Sequence, residues 1–314
     1  MELREYSLLS NSELQERIAR AKADKNAVLL VHNYQRQEVQ QIADFLGDSL
    51  MLAREAARTN ASVIVFCGVD FMAQTAKILN PDKKVLLPDD RADCPMARMI
   101  DVSSLRKMKE KYPDAVVVTY INSTADVKAL SDVCCTSGNA VKIIKSLGDR
   151  QIIFTPDRNL AEYCRLQTGA DIIPWDGYCY VHDEFRLKDV EDARRLHPEA
   201  IFIAHPECRL EILNRADCVA STTGMVRYVS DHKEEIGRRG LIVGTEIGLV
   251  EQLQVNHPEL PIFPLTSSAI CATQKLTSLI KLAWCIETES NEIVLDEEVR
   301  SRAYGAVKRM VEIL

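Results

Sequence analysis

Short apolar runs recur along this chain at regular intervals and alternate with longer segments of helical periodicity. Residues 28–31, 115–119 and 201–204 are such runs, each read as a strand that ends in polar residues: His32-Asn33-Tyr34, Tyr120-Ile121-Asn122 and His205-Pro206-Glu207. His32, Tyr120 and His205 are separated by 88 and 85 residues, and seventeen residues after each stands a hydroxyl, Ser49, Ser137 and Thr222. Helix-like segments follow at 50–59, 139–147 and 225–236. Further strands at 62–66, 151–154 and 241–243 each run into a turn bearing Gly, Asp or Glu and another helix. The period closes on a third kind of strand, at 85–87, 171–173 and 261–263, each followed by a proline: Pro88, Pro174 and Pro264. A cysteine then comes six, five and seven residues later: Cys94, Cys179 and Cys271.

A self-similar period of this length predicts tandem α/β units. Strands alternating with helices over short connections imply parallel sheets flanked by helices, with every strand-end motif on one edge of its unit. The expected segments are an N-terminal helix at 1–25, repeats at 26–105, 106–192 and 193–273, and C-terminal helices at 274–314. The second strand of the first unit is faint. Ser10 and Glu13 form a capping box ahead of an amphipathic segment reaching about Lys25. At the other end, residues 274–287 and 296–314 have helical periodicity, with Asp296 as a cap and a polar loop between them.

Composition narrows the classes. The net charge is −7 with no long basic run, which argues against a nucleic-acid binder. No apolar run approaches the ~20 residues of a membrane span, and the first residues lack the apolar core of a signal peptide. A cytoplasmic protein is expected, in which the Asn60-Ala61-Ser62 and Asn122-Ser123-Thr124 triplets are chance matches. The ten cysteines include no C-x-x-C pair. Most are expected to be structural, since a free cysteine is commonly a small buried apolar residue.

The three on the proline loops are different because the device recurs. Converging on one point, three thiolates need a cation. Zinc with a water as fourth ligand fits, and so does a [4Fe–4S] cluster with one iron open. An open iron is a Lewis acid able to hold a carboxylate or hydroxyl and help eliminate water. His32, Tyr120 and His205 would reach the same cavity, and Glu207 beside them is a general acid/base candidate. The three hydroxyls are expected to cap helices whose N-termini together form an anion site. Gly138 and Gly224 beside two of them let the backbone approach a ligand closely. There is no G-x-G-x-x-G, Walker A or H-E-x-x-H motif.

At these residues the chain resembles quinolinate synthases, the bacterial NadA family, over nearly its whole length. The resemblance rests on H-N-Y-Q at 32–35, G-V-D-F-M-A at 68–73, C-P-M-A at 94–97, Y-I-N-S-T at 120–124, T-S-G-N-A-V at 136–141, P-D-R-N-L-A at 156–161, G-Y-C-Y-V-H at 177–182, H-P-E-C at 205–208, A-S-T-T-G-M at 220–225 and the Cys271 loop. It implies three similar three-layer α/β/α domains with parallel sheets around a pseudo-threefold axis, the active site at their junction. It further implies a [4Fe–4S] cluster held by Cys94, Cys179 and Cys271. Substrate positions fall on His32, Ser49, Tyr120, Ile121, Asn122, Ser137, His182, His205, Pro206, Glu207 and Thr222, and catalytic roles on Glu207, Tyr34 and His205. The implied reaction condenses iminoaspartate with dihydroxyacetone phosphate to quinolinate, an NAD precursor, with iminoaspartate supplied by an L-aspartate oxidase or dehydrogenase. Two departures stand out: Gly138 where the family more often has Ala, and no C-x-x-C at Cys271-Ala272-Thr273-Gln274. A zinc-dependent lyase on the same thiols, or a redox-sensing or iron-storing protein without turnover, are the alternative expectations.

Overall fold

The computed structural model describes residues 2–313, so Met1 and Leu314, the outermost residues of the first and last expected segments, lie outside the described residues. Three four-stranded parallel sheets account for every named strand. The first contains β1 (Ala27–His32), β2 (Phe45–Gly47), β3 (Val63–Cys67) and β4 (Lys84–Leu86). The second contains β5 (Val116–Tyr120), β6 (Val133–Cys135), β7 (Ile152–Thr155) and β8 (Ile172–Pro174). The third contains β9 (Ile201–Ala204), β10 (Cys218–Val219), β11 (Leu241–Gly244) and β12 (Ile262–Pro264). All three have one strand order, second-first-third-fourth. The chain therefore leaves the first strand on one side and returns to the third on the other, making a switch point at their carboxyl ends, where open α/β sheets bind ligands. His32, Tyr120 and the residues after Ala204 stand there in their respective units.

The central strands are apolar almost throughout, because helices cover both faces of each sheet. β3, β5, β7, β9 and β11 are buried along their whole length. Burying each such Val, Ile or Leu side chain stabilises the fold by roughly 1.5–3 kcal/mol. β2, faint in the sequence, pairs with β1 in register Leu30↔Phe45 to His32↔Gly47.

The terminal helices dock on the first unit, and the last of them also reaches the second. Asn11–Asp24 begins at the expected Ser10–Glu13 capping box and packs against Leu279–Thr288. Lys281 on the latter forms an ion pair with Asp89, just beyond Pro88. The helix Glu297–Glu312, capped by Asp296, lies across the first two units. Arg54 holds its last carbonyls, at Val311 (3.0 Å) and Ile313 (2.9 Å), and Asn139 Nδ2 donates to Met310 O (3.0 Å).

Two expected helices are interrupted. The segment 225–236 divides into Thr222–Asp231 and Lys233–Arg239 at His232, whose ring stacks on Tyr228 at 4.1 Å and whose backbone leaves the helical region. The segment 274–287 opens with a 3₁₀ turn, Gln274–Leu276, and an extended Thr277 before Ser278 caps the helix Leu279–Thr288. Gln35 Nε2 donates to Gln274 Oε1 at 2.6 Å, fixing Gln274 in the turn.

Candidate active site

The carboxyl ends of the three sheets enclose one cavity. Its wall includes His32, Tyr34 and Ser49 from the first unit, Tyr120, Asn122 and Ser137 from the second, and His205, Glu207 and Thr222 from the third. Cys94, Cys179 and Cys271 also line it, one from each sheet's final loop. Ile121 and Pro206 are buried behind that wall, and His182 lies behind Glu207.

The two histidines that end β1 and follow β9 are set the same way. Tyr34 N–H donates to His32 Nδ1 at 3.2 Å, and Glu207 N–H donates to His205 Nδ1 at 3.3 Å. An Nδ1 that accepts leaves the proton on Nε2. Burial lowers the pKa of both rings to about 3; the Lys275 charge adds to this for His32, and the neighbouring His182 ring, stacked at 4.4 Å, for His205. Two neutral imidazoles with a free Nε2–H are therefore placed to donate hydrogen bonds at ordinary pH.

Glu207 is the ionised group of the cavity. Burial opposes its charge, yet His205 and His182 outweigh that cost and hold its pKa at about 2. His182 Nδ1 stands 2.7 Å from Oε2, and the Tyr120 hydroxyl donates to Oε1. The contacts continue beyond His182. Its Nε2 meets Thr245 Oγ1 at 2.9 Å, and Thr245 Oγ1 meets the Tyr34 hydroxyl at 2.8 Å. A continuous hydrogen-bonded chain thus links Tyr34, Thr245, His182, Glu207 and Tyr120.

The three hydroxyls do not cap their helices, contrary to expectation. Asp48 accepts from Met51 N at 2.9 Å and Ser221 from Gly224 N at 3.3 Å, so Ser49 and Thr222 are the first helical residues. In the second unit Asn139 precedes the helix, and Thr136 Oγ1 accepts from Gly138 N. Relieved of capping, these hydroxyls are free for the cavity, although Asn33 Nδ2 reaches Thr222 Oγ1 at 3.2 Å. Asn122 Oδ1 is buried with no hydrogen-bond partner, an acceptor that a ligand could satisfy.

All ten cysteines are free thiols. Six are fully buried, and Cys218, though half-buried like the three loop cysteines, is not on the cavity wall. Burial raises the pKa of Cys94, Cys179 and Cys271, and for Cys94 and Cys179 the other loop thiols raise it further. These thiols therefore keep their protons at ordinary pH, and they become thiolates only where a bound cation stabilises the charge. Cys179 Sγ, His182 and Glu207 also place three ligand atoms within 4.8 Å of one another, a group able to bind a metal.

A family model described as "Quinolinate synthetase A protein" matches residues 16–312. The chain belongs to that family. Proteins named quinolinate synthase are similar over nearly their full length. One from Methanoregula boonei is 48% identical over 300 residues, covering 96% of this chain and 98% of its own. One from Thermodesulfovibrio yellowstonii is 45% identical over 300 residues, with 95% and 98% covered. One from Thermococcus onnurineus is 47% identical over 303 residues, with 96% and 98% covered. No helix among the described residues is long and apolar enough to cross a membrane.

Several residues of this cavity carry little signal in the sequence. Asp48, Thr136, Thr273 and Gln274 line the cavity, and Thr245 links Tyr34 to His182. Asp48 and Thr136 each adjoin a recognised hydroxyl, a local signal that was available. Thr245 carries no such signal, because its partners are distant in sequence.

Proposed function

We propose that the protein is a quinolinate synthase that condenses iminoaspartate with dihydroxyacetone phosphate, releasing phosphate and two waters, and serves NAD biosynthesis. The observation that carries this reading is the meeting of three free thiols, one per unit, with an ionised, hydrogen-bonded carboxylate on one cavity. Cys94, Cys179 and Cys271 suit a [4Fe–4S] cluster, which when bound supplies an iron lacking a protein thiolate, a Lewis acid for substrate oxygens.

The protein's own groups divide the remaining work. The Nε2–H groups of His32 and His205 and the hydroxyls of Ser49, Ser137 and Thr222 donate to substrate carboxylates and phosphate. The N-termini of Ser49–Arg58 and Thr222–Asp231 add backbone N–H groups and a favourable dipole. Asn122 Oδ1 takes a substrate O–H or N–H. Glu207 repels an anionic ligand, so its place on the wall is better spent on protons. Its Oε atoms take a proton from substrate, and the Tyr34–Thr245–His182 chain carries protons to and from it. His205 orients Glu207 by accepting its N–H. Iminoaspartate would come from an L-aspartate oxidase or dehydrogenase, in a reducing, cytoplasmic setting suited to ten free thiols.

A mononuclear zinc lyase is the second reading, favoured by the Cys179–His182–Glu207 group. Against it, His182 Nδ1 stands 2.7 Å from Glu207 Oε2, closer than two ligand atoms about 2 Å from one zinc ordinarily stand. Iron, sulfide and zinc should be measured on anaerobically purified protein, with turnover of the two substrates. Iron and sulfide near four each per chain, with quinolinate formed, is the expected result. Stoichiometric zinc without sulfide, or iron without turnover, would reject it.

A further inference from the structure

Each cysteine loop is stapled to the helix that follows the third strand of its unit. Asp70 N–H donates to Ala92 O at 2.8 Å, Arg158 N–H to Gly177 O at 2.9 Å and Ile247 N–H to Ala269 O at 2.8 Å. In every case the acceptor lies two residues before the cysteine. Gly177 allows the close approach in the second unit, since a Cβ there would stand 2.5 Å from Pro156 O.

A second contact secures the cysteine itself. Cys179 N–H donates to Asp157 Oδ2 at 3.2 Å, and Cys271 N–H donates to Glu246 Oε1 at 3.1 Å. Asp157 and Glu246 occupy one position in two repeats, the N-caps of Arg158–Thr168 and Ile247–Asn256. Each uses its other oxygen on its helix, at Leu160 N and Gly248 N, both at 2.7 Å. Both side chains are completely buried. The first unit has Val69 at this cap position, whose side chain cannot accept a hydrogen bond. There a different carboxylate takes over: Cys94 N–H donates to Asp93 Oδ1 at 2.7 Å, and Arg98 holds Asp93 at 2.6 Å while reaching Asp70 at 3.0 Å.

We infer that Asp157, Glu246 and Asp93 are positioning carboxylates that fix the main chain of the three metal-binding cysteines. The inference rests on the reading of those thiols as ligands. Burying a carboxylate is costly, and a helix cap alone needs only one of its oxygens. The same contact at all three thiols, made by a substitute where the repeat lacks the acid, ties the acids to the loops. An amide cannot replace such a group, because it offers one acceptor oxygen and turns a donor toward the other N–H. In Asp157→Asn the helix can keep its cap only if Cys179 N–H loses its partner. The brace on Cys94 is the weakest, since Asp93 and Arg98 are 35% and 54% exposed and water competes there.

The test is hydrogen exchange on metal-free Asp157→Asn and Glu246→Gln, read peptide by peptide. Exchange in the Cys179 or Cys271 peptide should rise about tenfold or more, with the three sheets unchanged. Ser10→Ala, which removes the N-cap of Asn11–Asp24 and whose side-chain bonds stay within that helix start, should leave both peptides as they were. In anaerobically reconstituted protein, the first two variants should release iron to a chelator several-fold faster than wild type. Uniform loosening of all peptides, or unchanged exchange at both cysteines, would overturn the inference. So would insolubility of both variants, which marks a plain folding role. Wild-type protein that holds no iron would instead defeat the ligand reading, while exchange still decides the brace.

Discussion

Glu207 is held ionised by neighbours that are themselves hydrogen-bonded, and this decides what its replacement should do. Glu207→Gln keeps the shape and removes the proton acceptor. It should retain iron and bind dihydroxyacetone phosphate or quinolinate, while kcat falls by a factor on the order of 10². Steady-state kinetics at matched iron content would check this, and a change confined to KM would reassign Glu207 to binding. Thr245→Val is a subtler cut. It keeps the volume but removes the hydroxyl between Tyr34 and His182. We expect kcat to drop about tenfold with KM little changed. Glu207 was legible in the sequence because it follows a repeated strand end. Thr245 was not, since its role depends on Tyr34, 211 residues away.

At the scale of elements, adjacent hydroxyls at one helix start have separate duties. Ser221 caps Thr222–Asp231, so Ser221→Ala should cost about 1 kcal/mol of stability. Thr222→Ala leaves that cap intact and should instead raise the apparent KM. Thermal melts paired with kinetics would separate the two, and a stability loss confined to Thr222→Ala would reverse the assignment. Sequence alone could not make this distinction, because both residues favour helix starts. The repeat revealed the succession of strands and helices along each unit, faintly at β2, since apolar runs and their spacing survive without tertiary context. It missed the break at His232 and the turn at Gln274, which depend on packing against Tyr228 and Gln35.

Across the whole molecule, the docking of the terminal helices was the least legible feature, because an apolar helix face does not name its partner and long-range pairs add to the docking. Asp89–Lys281 is one such pair, with Asp89 almost wholly buried. Burial opposes the charge of Asp89, but hydrogen bonds from Arg91 and Lys281 prevail and lower its pKa to about 2. The unfolded value is about 4. Its contribution to stability is therefore present above about pH 4 and lost as the pH falls toward 2. Asp89→Asn should lower Tm at neutral pH and flatten its decline across that window; an unchanged slope would show the pair to be inert. The chain from Tyr34 to Tyr120 has a further consequence at this scale. Its members belong in turn to the first, third, second, third and second units, so no unit can relay a proton alone. On the proposed relay, the arrangement would act as an interlock: proton traffic would require all three units to be shut on one another. With several hydrogens in flight together, rates in mixtures of light and heavy water should bow away from a straight line. A linear dependence would mean that a single proton moves at the slow step.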